Sequence, residues 1–270
     1  MSEVIERDEP EVTYFMPHHG VYRPEKTSTK LRVAFNASTE TNKGNSLNSI
    51  QLNGGVIQRD LYDHMLNFRK YRYAFTADIQ KMYRMIEIDK NQRKLLRILW
   101  KDSANAPIKL YELNTVTYGT VSAPFLAMRT LQQIADDEGP NFPLAEPVIR
   151  NNFYKDDVLA GAETWSEVQD LKHELTCALQ VAGIQLHKFC SNCPSLQTGS
   201  DKDYSFSDRE EIKTLGVLWN CTQDKFVFKT DRQDRTYTKR QVLSMIARIF
   251  DPLGLVGPVI AKANIFMQSL

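Results

Sequence analysis

Phe153-Tyr154-Lys155-Asp156-Asp157-Val158-Leu159-Ala160-Gly161-Ala162 reads as a tight β-hairpin with Lys155, Asp156 and Asp157 at its tip. Aspartate favours turns, and the apolar flanks Phe153, Tyr154, Val158 and Leu159 set the acidic pair on a buried sheet. Upstream, Tyr73, Phe75, Ala77 and Ile79 alternate with Arg72, Ala74, Thr76 and Asp78. That is the period of a strand, with Asp78 near its end and facing away from the apolar set. Ser122 reads as an N-cap, and Phe125, Met128, Leu131 and Ile134 carry a helix onward from Pro124. Downstream, Thr164 to Glu167 forms a capping box ahead of Val168, Leu171, Leu175 and Leu179, Gly183 ends that helix, and Ile184 to Phe189 returns as a strand. The order is strand (72–79), helix (122–137), hairpin (150–162), helix (164–182), strand (184–189), the split βαβ order of a ferredoxin-like sheet. In that topology the first strand lies beside the descending arm of the hairpin. Asp78 then comes close to Asp156 and Asp157, almost eighty positions away.

Further out the signals are local. Pro17, Gly20 and Pro24 punctuate an extended stretch, Leu31 to Phe35 reads as a strand, and Asn42 to Gly55 reads as loop. Ile57, Leu61, Met65 and Phe68 recur at helical spacing. Residues 95–101 and 109–113 read as short strands, Lys213 to Trp219 and Lys225 to Lys229 as a hairpin. Thr238 to Gln241 is a second capping box, opening a helix that stops before Pro252.

Hydrophobic residues make up 42% of the 270 and charged residues 25%, which excludes long disorder. The net charge of +1 speaks against a strongly basic nucleic-acid binder. Local basic runs (Arg69, Lys70 and Arg72; Lys90, Arg93, Lys94, Arg97 and Lys101) can still meet phosphates, although each alone reads as a solvated face. Cys177, Cys190, Cys193 and Cys221 are too few for a disulfide framework and read as reduced thiols. His187, Cys190 and Cys193 lie close enough to suggest zinc, but a second ligand pair at a regular spacing is missing. The acidic N-terminus carries no signal-peptide core, and the longest apolar stretch, Leu253 to Met267, is broken by Lys262, so no membrane partner is expected.

Three ionised carboxylates gathered at one sheet edge repel one another unless a cation neutralises them. Hard carboxylate oxygens suit Mg²⁺, and two such ions can activate an attacking hydroxyl and stabilise the leaving oxygen of a phosphoryl transfer. At this point the residues carry a resemblance. Tyr154-Lys155-Asp156-Asp157 resembles the Tyr-x-Asp-Asp signature of reverse transcriptases. Phe75-Thr76-Ala77-Asp78-Ile79 resembles the strand bearing the family's first metal-binding aspartate, and Tyr83 matches its steric gate. Lys30-Leu31-Arg32-Val33 is similar to the fingers strand that holds the triphosphate, where a guanidinium suits phosphate through its forked donors. Tyr118-Gly119-Thr120-Val121-Ser122-Ala123-Pro124-Phe125 resembles the loop beneath nucleotide and template. Gly183 to Lys188 resembles the motif whose lysine protonates pyrophosphate, and Leu215-Gly216-Val217-Leu218-Trp219 the primer grip. Within the family, Tyr111 to Gly119, Arg97-Ile98-Leu99-Trp100, Ile249-Phe250-Asp251-Pro252-Leu253-Gly254-Leu255 and Pro17-His18-His19-Gly20-Val21 resemble the Pao/BEL class of LTR retrotransposons. The resemblance runs from about residue 14 to the end.

It implies an α+β right-hand polymerase: a tail (1–13), partial fingers and the approach to the palm (14–71), a ferredoxin-like palm with inserted fingers elements and the grip hairpin (72–230), and the beginning of a thumb or connection region (231–270). It further implies an RNA-directed DNA polymerase. Asp78, Asp156 and Asp157 would hold two Mg²⁺ ions (or Mn²⁺), and Lys188 would be the general acid. Lys30, Arg32, Tyr83, Tyr118, Gly119 and Tyr154 would surround the nucleotide, with Leu215, Gly216 and Trp219 on the primer. The implied partners are an RNA or DNA template, a primer and deoxynucleoside triphosphates, in an intracellular cytoplasmic particle. Asn36 departs from the family's Asp. Protease, RNase H and integrase segments are not read in the chain, so the expectation is a fragment of a Pol polyprotein: a truncated gene model, an excised piece, or an inactive remnant that keeps the fold and at most binds nucleic acid or a protein.

Overall fold

Side chains that satisfy the free N–H groups of a first turn decide where the longer helices begin. Thr164 Oγ1 accepts from the Glu167 N–H at 3.3 Å and Glu167 Oε2 from the Thr164 N–H at 3.1 Å; Thr238 and Gln241 make the same reciprocal pair. The computed structural model describes residues 1–5, 12–24, 30–196, 211–228 and 238–269. In chain order its elements are β1 (Ser2–Glu3), β2 (His18–Tyr22), β3 (Leu31–Phe35), α1 (Leu47–Ile50), α2 (Leu61–Phe68), β4 (Tyr73–Ile79), β5 (Arg97–Trp100), β6 (Lys109–Glu112), α3 (Ala123–Glu138), α4 (Ala145–Asn151), β7 (Phe153–Tyr154), β8 (Asp157–Ala162), α5 (Trp165–Val181), β9 (Leu186–Ser191), β10 (Glu211–Thr214), β11 (Val217–Asn220), β12 (Lys225–Val227), α6 (Lys239–Ala247) and α7 (Gly257–Ser269). The chain is thus an α+β protein with small antiparallel sheets.

Two compact units divide it. The first comprises residues 1–57 and 81–134, the second 58–80 and 135–270. In the first, β2 pairs with β3, and β1-β6-β5 form a second small sheet. Ser2 and Glu3, in the stretch expected as tail, pair with Glu112 and Tyr111. Tyr14, Met16, Ala37, Leu47, Leu96 and Ile98 make this unit's core. The loop expected over 42–55 contains α1, whose capping box uses Ser46 and Ser49. A serine at the third helical position in place of Glu or Gln is a weak signal in sequence.

In the second unit four strands lie in the order β7-β8-β4-β9, all neighbours antiparallel, which is the split βαβ order expected from the sequence. The expected alternation along β4 fails: Ala74, Phe75, Thr76 and Ala77 are all buried. Ala74 faces a core of Met65, Phe68, Leu159, Val217 and Trp219, and α5 also packs against β4, so a central strand loses its polar face. The last strand is shifted to Leu186–Ser191, α4 takes up Arg150 and Asn151 from the expected hairpin, and the grip hairpin is three-stranded, β10-β11-β12. Lys229 lies outside the described residues.

Candidate active site

Register builds the acidic cluster. β4 and β8 pair without interruption from Tyr73↔Ala162 to Asp78↔Asp157, so the two aspartates stand directly opposite at the end of the ladder. Tyr154 pairs with Asp157, which leaves Lys155 and Asp156 as a two-residue turn. Lys155 has φ 58 there, and the Ile79 N–H donates to the Asp156 carbonyl at 2.8 Å, tying the turn to the end of β4. The carboxyls feel one another. Burial first, then the charges of Asp156 and Asp78, push Asp157 up to about 7. Asp156 moves the same way, through lost hydration of its carboxyl and the charge of Asp78. Asp78 goes the other way: burial would raise it, but hydrogen bonds from His187 and Lys188 hold it below the ordinary carboxylate range.

That difference has a backbone cause. The pairing of β4 with β9 shifts between Thr76 and Asp78: Thr76 faces Cys190, while Asp78 faces His187. β9 therefore carries one extra residue, a β-bulge, and Lys188 sits in it with φ 54. Consecutive residues of a regular strand point to opposite faces. Here both reach the same carboxylate, His187 Nε2 at 3.1 Å from Asp78 Oδ1 and Lys188 Nζ at 2.7 Å from Oδ2. Along the chain His187 stands near Cys190 and Cys193, and only the resemblance singles out Lys188. Cys190 instead lies in the hydrophobic core beside Cys221. A bulge leaves no periodic signal that would have shown His187 facing Asp78.

The grip hairpin reaches the same place. Leu215 and Gly216 have φ 50 and 89 between the paired residues Thr214 and Val217, the two left-handed positions of a type I′ turn. The Leu215 N–H donates to the Asp157 carboxylate. A Cβ on Gly216 would lie 2.8 Å from the Phe250 ring. Asp251 accepts from the N–H groups of Leu255 and Val256 at 2.9 and 2.7 Å ahead of α7, and Leu253 packs on the core. The Ile249–Leu255 motif is thus a structural latch beneath the turn. Trp219 is fully buried, edge-on to Phe68, with Nε1 donating to Asp224 at 3.0 Å; it anchors the hairpin instead of presenting a surface. Tyr154 is half-buried, its ring edge-on to His64.

The remaining predicted residues belong to the first unit. Tyr83 and Tyr118 meet with ring centroids 4.7 Å apart, and Tyr118 is half exposed. Gly119 has φ 94, and a Cβ there would strike the Phe35 carbonyl oxygen at 2.4 Å. Asn48, unnoticed in the sequence, bonds the Gly119 carbonyl and the Val121 N–H, both at 3.0 Å, and so pins this turn. Lys30 and Arg32 are exposed at the β2–β3 hairpin. The second basic run is partly consumed: Arg97 is buried on Glu112 at 2.9 Å and Arg93 bonds Glu87. In the first run Arg69 is taken by Asp224.

Three hard carboxylates in mutual repulsion are the donor chemistry a divalent cation requires. Among the described residues, however, no three His, Cys, Asp or Glu side chains already converge as a ligand group, and the two oxygens of Asp78 meet His187 and Lys188. No helix among the described residues is long and apolar enough to cross a membrane.

Residues 238–270 match the family model of the Pao retrotransposon-like RNaseH-like domain. No curated protein matches the chain. Among solved structures, a foamy viral protease-reverse transcriptase in complex with RNA/DNA hybrid is similar over 97% of this chain, with a TM-score of 0.58 at 16% identity. The chain spans 31% of that one's length. The likeness is one of fold. The family match adds an RNaseH-like label where sequence reading expected the start of a thumb or connection. Over that stretch the described residues form α6 and α7, and its sole acid, Asp251, caps α7.

Proposed function

We propose that this chain is the polymerase core of a retroelement reverse transcriptase, extending a primer along a nucleic-acid template with deoxynucleoside triphosphates. The observation that supports it most is the pairing of Asp78 with Asp157 at the end of adjacent strands, with Asp156 beside them in the β7–β8 turn. Asp78 and Asp156 would hold two Mg²⁺ ions with Asp157 in support. When bound, such ions lower the pKa of the attacking hydroxyl and neutralise charge on the transferred phosphoryl group. The protein's own part is positioning and electrostatics. The Ile79 N–H holds the Asp156 turn on β4, and the Leu215 N–H fixes Asp157. Lys188, an ammonium beside the carboxylates, would donate a proton to the departing pyrophosphate. Tyr83 would crowd a ribose 2′-hydroxyl, and Lys30 and Arg32 would neutralise the triphosphate. Grip contacts with the primer would come from the exposed surface around Leu215 and Gly216, with Trp219 holding them from within.

The RNaseH-like label suggests a second reading, a hydrolytic domain. Nuclease chemistry with paired metals needs several carboxylates, and residues 238–270 contain only Asp251, which is engaged in a helix cap. The acidic cluster on β4 and β8 favours polymerase chemistry over it. Primer extension on an RNA template with Mg²⁺ tests the reading. Asp156→Asn should lower extension by at least about a thousandfold, some 4 kcal/mol of barrier, with melting temperature and nucleic-acid affinity retained. Near-normal extension by that variant would falsify the metal assignment. Absence of extension by either folded protein would favour an inactive remnant.

A further inference from the structure

Asp78 is the only member of the acidic cluster with two cationic or N–H donors on one carboxylate, and the two are not equivalent. The His187 side chain is 16% exposed, and the residue is the register partner of Asp78, with a ring on a short stem. The Lys188 side chain is 39% exposed, on a long flexible stem, although its backbone is held at φ 54. A left-handed lysine in a strand is strained, and such strain persists only where the surroundings over-determine it. What the bulge achieves is the convergence of two consecutive side chains that a regular strand would send to opposite faces.

We infer that His187 is a positioning residue that fixes one oxygen of Asp78, while Lys188 is a resident counter-cation that yields the other oxygen when a divalent metal binds. This rests on the polymerase reading above and adds to it a division of labour on β9. Each oxygen of Asp78 keeps a second lone-pair site, but the ammonium 2.7 Å from Oδ2 repels a divalent cation arriving at the same carboxylate, so it is like charge that sets the two in competition. Lys188, exposed and flexible, is the donor that can leave. On leaving it keeps its proton and stands beside the reacting phosphates. The His187 N–H stays on Asp78 and orients it, as outer partners of metal-binding carboxylates do. The bulge would then hold Lys188 over the acidic site in the absence of metal and release it at the moment metal and substrate arrive.

The test is Mn²⁺ binding by the full chain, read from the loss of the free-ion electron paramagnetic resonance signal, alongside circular dichroism and melting curves. Lys188→Gln removes the competing charge and keeps the stem; it should bind Mn²⁺ about fivefold tighter, the size expected of a partly exposed ion pair, and yet extend primers more slowly. Lys188→Gly, which relieves the left-handed backbone, should bind as tightly and guards against misfolding of the first variant. His187→Ala should bind about tenfold more weakly, and His187→Asn, which keeps an N–H donor, should recover part of the loss. A merely structural role for His187 would lower the melting temperature without this rescue. Unchanged or weaker binding by both folded Lys188 variants, or unchanged binding by His187→Ala, overturns the inference and leaves the polymerase reading intact. Wild-type Mn²⁺ binding that is absent, or that survives Asp78→Asn and Asp156→Asn, overturns the polymerase reading and the inference with it.

Discussion

Strand β4 is paired on both edges, and the edges do different things. Towards β8 the register is unbroken, and regular pairing sets one acid opposite another. Towards β9 the register slips by one residue, and the slip brings a histidine and a lysine onto a single carboxylate. A regular ladder can transmit a spacing but cannot put consecutive side chains on one target. A bulge can, at the expense of a strained residue. The repulsive edge and the neutralising edge of this site are therefore built by opposite uses of the same sheet.

Removing the bulge should break the comparison most severely. Deletion of Lys188 closes the bulge: Ala77 then stands opposite Phe189 alone, the pairs Thr76↔Cys190 and Asp78↔His187 stay, and Asp78 loses the ammonium on Oδ2 while the β9 backbone is re-laid. The expected loss is roughly 1–3 kcal/mol, that of a half-buried carboxylate deprived of a charged hydrogen-bond donor, seen as a lowered urea midpoint. An unchanged midpoint would show that the bulge adds nothing to stability.

Acid on the β8 edge should show in the pH dependence of the metal-free protein. Asp157 is raised from its ordinary value to about 7, so its contribution to folding is fully present below about pH 4 and is lost as pH rises through 7. Asp156 shifts in the same direction. Asp78 is lowered, so its contribution fades only as pH falls through the acid range, outside that window. The melting temperature should therefore decline between about pH 4 and 7 without metal. Asp157→Asn should flatten that decline, and a slope unaltered by the substitution would move its cause away from this carboxyl.

Smallest of all should be the effect of Lys188→Gly on stability. Relief of the left-handed backbone and loss of a partly exposed ion pair oppose each other, and the net change should stay within about 1 kcal/mol. A larger loss in thermal unfolding would mean that the lysine stabilises the sheet in its own right.

Most of the β8 edge was legible in advance. Period-two alternation located β4, the apolar flanks located the Asp156–Asp157 turn, and capping boxes at Thr164 and Thr238 marked helix starts to within a residue. The β9 edge was not. Only resemblance singles out Lys188, and spacing along the chain, blind to a bulge, groups His187 with two cysteines. α1 and α4 escaped for local reasons: one is four residues long, and the other follows Pro143 and contains Pro147. Trp219 was read as part of a binding surface, whereas its burial makes it an anchor.

By itself the sequence determined which segments could be strand, helix or turn, because side-chain period and end-capping act over a few residues. It also determined that three acids would share one sheet, since strand order follows from the succession of elements. Tertiary structure alone decided what surrounds those acids: the bulge at Lys188, the hold of His187 on Asp78 from 109 residues away, and the Leu215 N–H on Asp157. Each of these depends on pairing register between distant strands, and register is set by the packing of the whole sheet.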